Sequence, residues 1–316
     1  MKAEGIYAVL GMPYSGSTLL SFIMGSNEQV YNGADLHHLN GKRKGICSIH
    51  KDKCPVFSRE ALARIYEAFA DCDAWYDRIA EATQRPYIFD ASKQLSFFRE
   101  VLPATRKKVV VIALNKHPMR ALSSDIYNRL FVRQMKMESL PEIRGHMNSN
   151  KAEIREFIIK RLDALLADIE ARTALLDSIS ERDNILEIIN LTYESYVENP
   201  AEVFSRLLGL YGLDYKEEFL DYTNFEHHPV TGNMAPIWKV RSSGKSVNSN
   251  EKNFRKGYYL KDSASIVLDN KYKELFSAKE INWIESRPQY RKLLALLDYK
   301  PMRSQSFVRR LASSFS

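Results

Sequence analysis

Ile6-Tyr-Ala-Val-Leu10-Gly11-Met-Pro-Tyr14-Ser15-Gly16-Ser17-Thr18-Leu-Leu20 decides how this chain folds. Ile6 to Leu10 is a short apolar run of strand formers closed by Gly11 and Pro13, so it reads as a buried strand. From Ser17 to Gly25, Leu19, Leu20, Phe22, Ile23 and Met24 supply the apolar faces of a helix. A strand, a glycine loop and a helix N-terminus in that order make an anion cradle, because backbone N–H groups and the helix dipole both favour negative charge there. The glycines and Thr18 have the spacing of the nucleoside-triphosphate loop Gly-x-x-x-x-Gly-Lys-Ser/Thr, but Ser17 stands where that loop has lysine. That lysine neutralises β- and γ-phosphates. With hydroxyls in its place, the loop suits a single phosphate-like group better than a triphosphate with magnesium.

Outward from this loop, strands alternate with helices. Tyr87 to Phe89 is a short apolar run ending at Asp90. Lys108 to Leu114, with Val-Val-Val-Ile-Ala-Leu, is the strongest strand signal. A near-continuous apolar run of this length suits a central parallel strand covered on both faces. Asn184 to Ile189 is a further strand. Helices are predicted over 58–83, 119–133, 150–179, 200–211, 263–276 and 277–297, while Tyr31 to Val56 reads as a polar loop. In the 150–179 helix Ile154, Phe157, Ile158, Leu162, Leu165, Leu166 and Ile169 recur at three and four residues. The pattern predicts a three-layer α/β fold, with a mainly parallel central sheet flanked by helices and a P-loop NTPase-like topology.

Bulk properties narrow the partners. The chain has 316 residues, enough for a sizeable core without disulfide staples. A net charge of +7 favours anionic partners without choosing among them. The basic residues are scattered except in the tail Lys300–Arg310, and no arginine-rich arm or nucleic-acid motif is present, so no nucleic-acid partner is expected. No apolar run reaches the roughly 18 residues of a membrane helix. Met1 to Leu10 lacks the features of a signal peptide, so the expectation is a cytoplasmic protein without integral membrane association. The cysteines are Cys47, Cys54 and Cys72, an odd number that argues against a disulfide framework. Cys47 and Cys54 flank His50, but a zinc site needs further ligands. Adjacent His37 and His38, the only candidates nearby in sequence, poorly share one metal face. The pair therefore reads as packed or reversibly oxidised thiols, and no metal is expected.

Pro13-x-Ser15-Gly16-Ser17-Thr18-Leu-Leu closely resembles the 5′-phosphosulfate loop of sulfotransferases that use 3′-phosphoadenosine 5′-phosphosulfate (PAPS). The resemblance implies that Ser15, Gly16, Ser17 and Thr18 hold the 5′-phosphate, with Tyr14 where relatives carry a basic residue. It also implies no metal. The stretch Asn115-Lys116-His-Pro118-Met-Arg120-Ala-Leu-Ser123-Ser124 resembles the family's 3′-phosphate junction, with Lys116 and Ser124 in the places of its arginine and serine. A cation at a strand end and a hydroxyl on the following helix can grip one dianion. Lysine does so as a point charge rather than a bidentate fork.

Phe89-Asp90-Ala-Ser92-Lys93 resembles a segment of the bacterial-type branch, and makes Lys93 a candidate for the cation missing at Tyr14. Tyr193-Glu194 with Asn199-Pro200, His228-Pro-Val-Thr-Gly232-Asn233, Arg255-Lys256-Gly257 and the run from Leu268-Asp269 to Tyr272 resemble further family segments. They imply nucleotide contacts at Tyr193, Arg255, Lys256 and Gly257. The resemblance implies one sulfotransferase domain over 1–298 and a basic tail over 299–316. The expected reaction moves a sulfuryl group from PAPS to a hydroxyl or amine of a carbohydrate or small metabolite, leaving adenosine 3′,5′-bisphosphate (PAP). Asp35 stands where some relatives carry a glutamate base, and His37 and His38 are the other candidate bases. Two other readings stay open: a small-molecule kinase or nucleotide phosphotransferase, and a PAP- or PAPS-binding protein without transfer activity.

Overall fold

The computed structural model describes residues 1–39, 47–137, 139–232, 234–243 and 268–302. Arg255, Lys256, Gly257, Asn233 and the tail beyond 302 lie outside the described residues. Five strands, Gly5–Gly11 (β1), Val30–Ala34 (β2), Tyr87–Asp90 (β3), Lys108–Asn115 (β4) and Ile185–Thr192 (β5), form one sheet in the order β2-β3-β1-β4-β5. The sheet is all-parallel, as expected from the alternation of strands and helices. Gly5 lies opposite both Tyr87 and Lys108, so β1 is held from both sides. Every residue of β1 is buried, and in β4 every residue from Val109 to Leu114. That double covering is why neither strand alternates apolar with polar side chains.

β2 is a strand that the sequence hides. Asn32 and Gly33 break its apolar run, and the buried Asn32 side chain accepts the Ser21 hydroxyl through Oδ1. The strand order reverses direction at β1, with β3 and β2 on one side and β4 and β5 on the other. In open α/β sheets such a switch opens a crevice outside the carboxyl ends of the strands, where ligands bind.

The helices that position the site are Ser17–Met24 (α1), Pro118–Asp125 (α2), Lys151–Ile179 (α3), Tyr193–Glu198 (α4) and Lys271–Leu275 (α5). The predicted 58–83 helix is two helices, Arg59–Glu67 and Cys72–Thr83. Ser58 and Asp71 each cap one of them, which places a second start signal inside the run. The 119–133 helix passes at Ile126 into a π-helical stretch reaching Gln134. The terminal 277–297 helix divides at Pro288, which can open a helix but not continue one.

The chain forms two compact units. The first comprises Met1–Gly11, Gly16–Leu114 and Arg172–Val267, and the second Met12–Ser15, Asn115–Ala171 and Leu268–Ser316. In the first, Ile6, Ala8 and Leu10 of β1 pack in a core with Trp75, Ile79 and Phe98. In the second, Met119 and Leu122 share a core with Ile154, Ile158, Leu162 and Leu165, the stripe read from the helical period. Among the described residues no helix is long and apolar enough to cross a membrane.

Candidate active site

Gly16 caps α1 with φ +86°, a left-handed conformation that disfavours any side chain. A Cβ there would sit 2.1 Å from Tyr196 Oη and 2.6 Å from Tyr193 Cδ2. Tyr196 Oη also donates to the Gly16 carbonyl at 3.0 Å. The two tyrosines of α4 thus pack directly against Gly16 and wall the loop, an approach that any side chain at this position would block. Gly16 offers no side chain to the first N–H groups of α1, so those donors suit an anion. On another side of α1, a Cβ at Gly232 would come 3.0 Å from Thr18 Cγ2, so the 228–232 segment lies close behind Thr18.

Lys93, the candidate replacement cation, reaches the loop. Its Nζ donates to Ser17 Oγ at 2.8 Å and to Asp35 Oδ1 at 2.9 Å. The Lys93 and Asp35 side chains are 22% and 20% exposed, partly shielded but open to solvent. The structure therefore joins a loop hydroxyl, the candidate cation and the candidate base Asp35 in one cluster of the first unit. A buried network presents Lys93. Asp90 accepts hydrogen bonds from Tyr76 Oη at 2.9 Å, from the Ser92 N–H at 3.0 Å and from the Ser92 hydroxyl. Burial raises the Asp90 pKa to about 6 even though these donors pull it down. Ser92 Oγ in turn accepts from the His37 N–H at 3.0 Å. His37 and His38 lie half-buried on the turn Leu36–Leu39, with ring centroids 4.1 Å apart.

In the first unit Ala34 (φ 49°) closing β2 and Lys93 (φ 58°) after β3 are non-glycine residues with left-handed backbone, and Tyr14 (φ 62°), which follows β1 in the chain, is another. Strained backbone of this kind persists where the surroundings fix it, and it clusters at functional sites.

In the second unit, Lys116 and Ser124 come together as predicted, but around a side chain. Lys116, 2% exposed, places Nζ 2.9 Å from Asp269 Oδ2, 3.4 Å from Ser124 Oγ and 3.4 Å from the Tyr14 carbonyl. Ser124 Oγ donates to the same Asp269 oxygen at 2.7 Å. Burial alone would raise the Asp269 pKa. The Lys116 and Lys271 cations, with the hydrogen bonds from Lys116 and Ser124, outweigh it and hold the carboxyl well below the usual range. Arg120, which the sequence did not single out, donates to Asn270 Oδ1 at 2.9 Å and lies 5.6 Å over the Tyr272 ring. Ser15 Oγ is fully buried and has no hydrogen-bond partner among the described residues. A buried loop hydroxyl of this kind can donate to an oxyanion.

His117 precedes α2 as its cap. Nδ1 accepts from the Met119 N–H at 3.2 Å and Nε2 donates to the Lys300 carbonyl at 3.0 Å, which fixes the neutral tautomer. Burial lowers its pKa to about 4. Between about 6.5, the unperturbed value, and about 4 the unfolded chain binds a proton that the folded chain refuses, so stability falls as pH falls. His227, lowered to about 3 by burial, acts in the same direction, while Asp90 acts in the opposite one. The expected result is a melting temperature that declines across this window, and a shallower decline in His117→Asn, which can still cap but does not titrate. Circular dichroism melts against pH check this, and an identical slope in the variant would refute the role of His117.

No family model matches the chain, and neither does any curated protein. Among solved structures, the sulfotransferase domain from the curacin biosynthetic pathway aligns over 95% of this chain and 99% of its own, with a TM-score of 0.55 at 15% identity. The sulfotransferase domain of the Synechococcus PCC 7002 olefin synthase aligns over 95% of this chain and 96% of its own, with a TM-score of 0.51 at 15% identity. The chain has the sulfotransferase fold. At this identity the likeness speaks for the fold, and the residues must carry the chemistry. Of the residues singled out from the sequence, the structure brings Ser17, Lys93 and Asp35 into contact, and separately Lys116 and Ser124. Sequence reading saw Asp269 only as part of a terminal helix motif and missed Tyr196 as the wall of the loop. Asp269 is 153 residues from Lys116, and no local pattern announces such a pairing.

Proposed function

We propose that this chain is a PAPS-dependent sulfotransferase of the bacterial-type branch, acting on a hydroxyl or amine of a carbohydrate or small metabolite. The observation that carries the reading is Lys93, whose ammonium joins Ser17 and Asp35 and so supplies a cation absent at Tyr14. The buried Ser15 hydroxyl and the first N–H groups of α1 after Gly16 fit a 5′-phosphate, and the serine at position 17 disfavours a triphosphate. When bound, PAPS supplies an activated sulfuryl group on its 5′-phosphate.

In this reading Ser15, Gly16, Ser17 and Thr18 orient the 5′ end. Lys93 Nζ stabilises the negative charge that grows on the 5′-phosphate side, already aimed and partly desolvated. The Asp35 carboxylate, held through Oδ1 by Lys93, takes the proton of the acceptor. Lys116 and Ser124 hold the 3′-phosphate, for which Asp269 must release them. Tyr193 serves as a wall of the loop, and Arg255, Lys256 and Gly257 are further nucleotide contacts implied by the family resemblance.

Calorimetric titration with PAP and, separately, with ATP plus magnesium tests the nucleotide assignment. Radiolabelled transfer from PAPS to a panel of hydroxyl and amine acceptors tests the reaction. PAP is expected to bind and ATP with magnesium to bind far more weakly. Preferential ATP binding would replace this reading with a phosphotransferase. Tight PAP binding without transfer to any acceptor would replace it with a binding protein.

A further inference from the structure

Four residues outside the nucleotide site converge in the first unit. One ligating atom each from Cys47, His50, Cys54 and His228 lies within 4.8 Å of every other. Cys47 Sγ is 3.5 Å from His50 Nδ1, and Cys54 Sγ is 3.4 Å from His228 Nδ1. The two imidazoles lie against each other, with centroids 4.8 Å apart. Cys47, Cys54 and His228 are buried and His50 is half-buried. Sequence spacing shows only Cys-x-x-His-x-x-x-Cys, and the fourth member arrives from 174 residues away.

The surroundings are built for more than packing. Each sulfur accepts a backbone N–H from the residue three positions on: His50 N to Cys47 Sγ at 3.4 Å, and Phe57 N to Cys54 Sγ at 3.4 Å. Amide donors aimed at sulfur favour it as the anion, the form that ligates a metal. The first turn is closed by the Lys51 N–H on the Cys47 carbonyl at 2.8 Å, with Lys51 itself at φ 53°. His228 has Nδ1 towards Cys54 and Nε2 3.0 Å from Glu226 Oε1. A carboxylate behind the outer ring nitrogen is the usual support of a metal-binding histidine. Ser48 fixes the loop to the His228 segment, its N–H donating to the Pro229 carbonyl and its hydroxyl to the Val230 carbonyl, both at 2.7 Å. A disulfide would account for two of the four groups and leave both imidazoles unexplained.

We propose that Cys47, His50, Cys54 and His228 bind one Zn²⁺ in a closed, tetrahedral structural site. Two thiolates and two imidazoles are the donor set zinc takes in structural sites, and four protein ligands leave no open position for catalysis. Two thiolates cancel the charge of the ion, so the buried site is neutral. The Cys47–His50 and Cys54–His228 spacings match the roughly 3.3–3.8 Å edges that Zn–S and Zn–N bonds imply, and the ion would draw the two pairs together. The ion would tie the 47–54 loop to the segment whose Thr231 pairs with Ala34 and whose Gly232 backs Thr18. It would thereby brace two walls of the candidate active site from behind. The inference rests on these four residues and not on the identity of the nucleotide.

The test is metal analysis of the full-length protein, purified under reducing conditions without chelator, and then loaded with cobalt. About one zinc per chain is expected. The cobalt form should show the visible bands of a tetrahedral ion and a thiolate-to-cobalt charge-transfer band. Cys54→Ser and His228→Ala should lose most of the zinc and melt earlier, while Cys72→Ser, outside the cluster, should keep it. Absence of zinc both as purified and after zinc titration would overturn the proposal. So would an octahedral cobalt spectrum, or Cys54→Ser retaining the charge-transfer band. Should the variants fail to fold, the cobalt spectrum of the unaltered chain decides. Because PAP binding is measured separately, failure here leaves the sulfotransferase reading untouched.

Discussion

Lys93→Met will lower sulfuryl transfer roughly 10²- to 10³-fold, the usual cost of removing one preorganised donor from a site of developing charge. The residue sits after a buried strand on a network of Asp90, Ser92 and Tyr76, so its position is fixed before any ligand arrives. Its ammonium touches Ser17 of the loop and Asp35, the candidate base. Methionine keeps most of the stem and removes only the charge and its donors. Solvent still reaches both side chains of the Lys93–Asp35 pair, so its loss should cost less than the ~3–5 kcal/mol of a fully buried pair. The effect should therefore fall on turnover much more than on affinity for PAP. Lys93→Arg should recover part of the rate, since charge returns with altered geometry. Steady-state kinetics with PAPS, beside PAP titration, separate the two quantities. Wild-type turnover in Lys93→Met would remove Lys93 from the mechanism and return the question of the missing cation at Tyr14.

Asp269→Asn will destabilise the free protein and tighten its binding of PAP. Lys116 is buried, and Asp269 is its carboxylate partner at 2.9 Å. The same carboxylate takes the Ser124 hydroxyl, so it occupies both groups expected to grip the 3′-phosphate. Removing one member of a buried pair leaves the other charge poorly compensated, at a cost of about 3–5 kcal/mol. A phosphate dianion would restore that compensation without having to displace a competitor. Affinity for PAP should rise about tenfold or more, the equivalent of about 1.4 kcal/mol. The thermal shift on adding PAP should rise with it. Lys116→Met should weaken PAP binding instead.

The sign of the pH effect follows from the low pKa of Asp269. The pair contributes stability above the ordinary carboxylate range and loses it only as pH falls below that range, so the competition operates throughout neutral pH. Unchanged or weaker PAP binding in Asp269→Asn would exclude Lys116 and Ser124 as the phosphate grip.

Local chemistry was legible in the sequence wherever neighbours along the chain are also neighbours in space. The strand–loop–helix unit around Gly16, the buried β4 and the apolar stripe of α3 all obey short periods, and each stands where those periods placed it. Lys93 could be nominated because its segment resembles one of the bacterial-type branch and follows a strand end, the place where a parallel sheet presents its side chains to ligands. β2 was illegible because Asn32 and Gly33 interrupt its pattern, and the hydrogen bond that Asn32 Oδ1 accepts from Ser21 is not announced by any local rule. Asp269 and His228 were illegible as partners because their contacts span 153 and 174 residues, and no spacing rule reaches that far. The two halves of the 58–83 helix needed attention to Asp71, whose carboxylate accepts from the Asp73 and Ala74 N–H groups and starts a new helix.

Left-handed backbone at Tyr14, Ala34 and Lys93 sets a limit on engineering. Each position holds a conformation that costs about 1–3 kcal/mol for an ordinary side chain, and glycine would relieve part of it. A library screened only for heat resistance will be drawn to these codons, and at position 93 the gain would discard the ammonium itself. Improvement of this scaffold is better directed at exposed helix positions, where melting temperature and turnover are not set by the same residues.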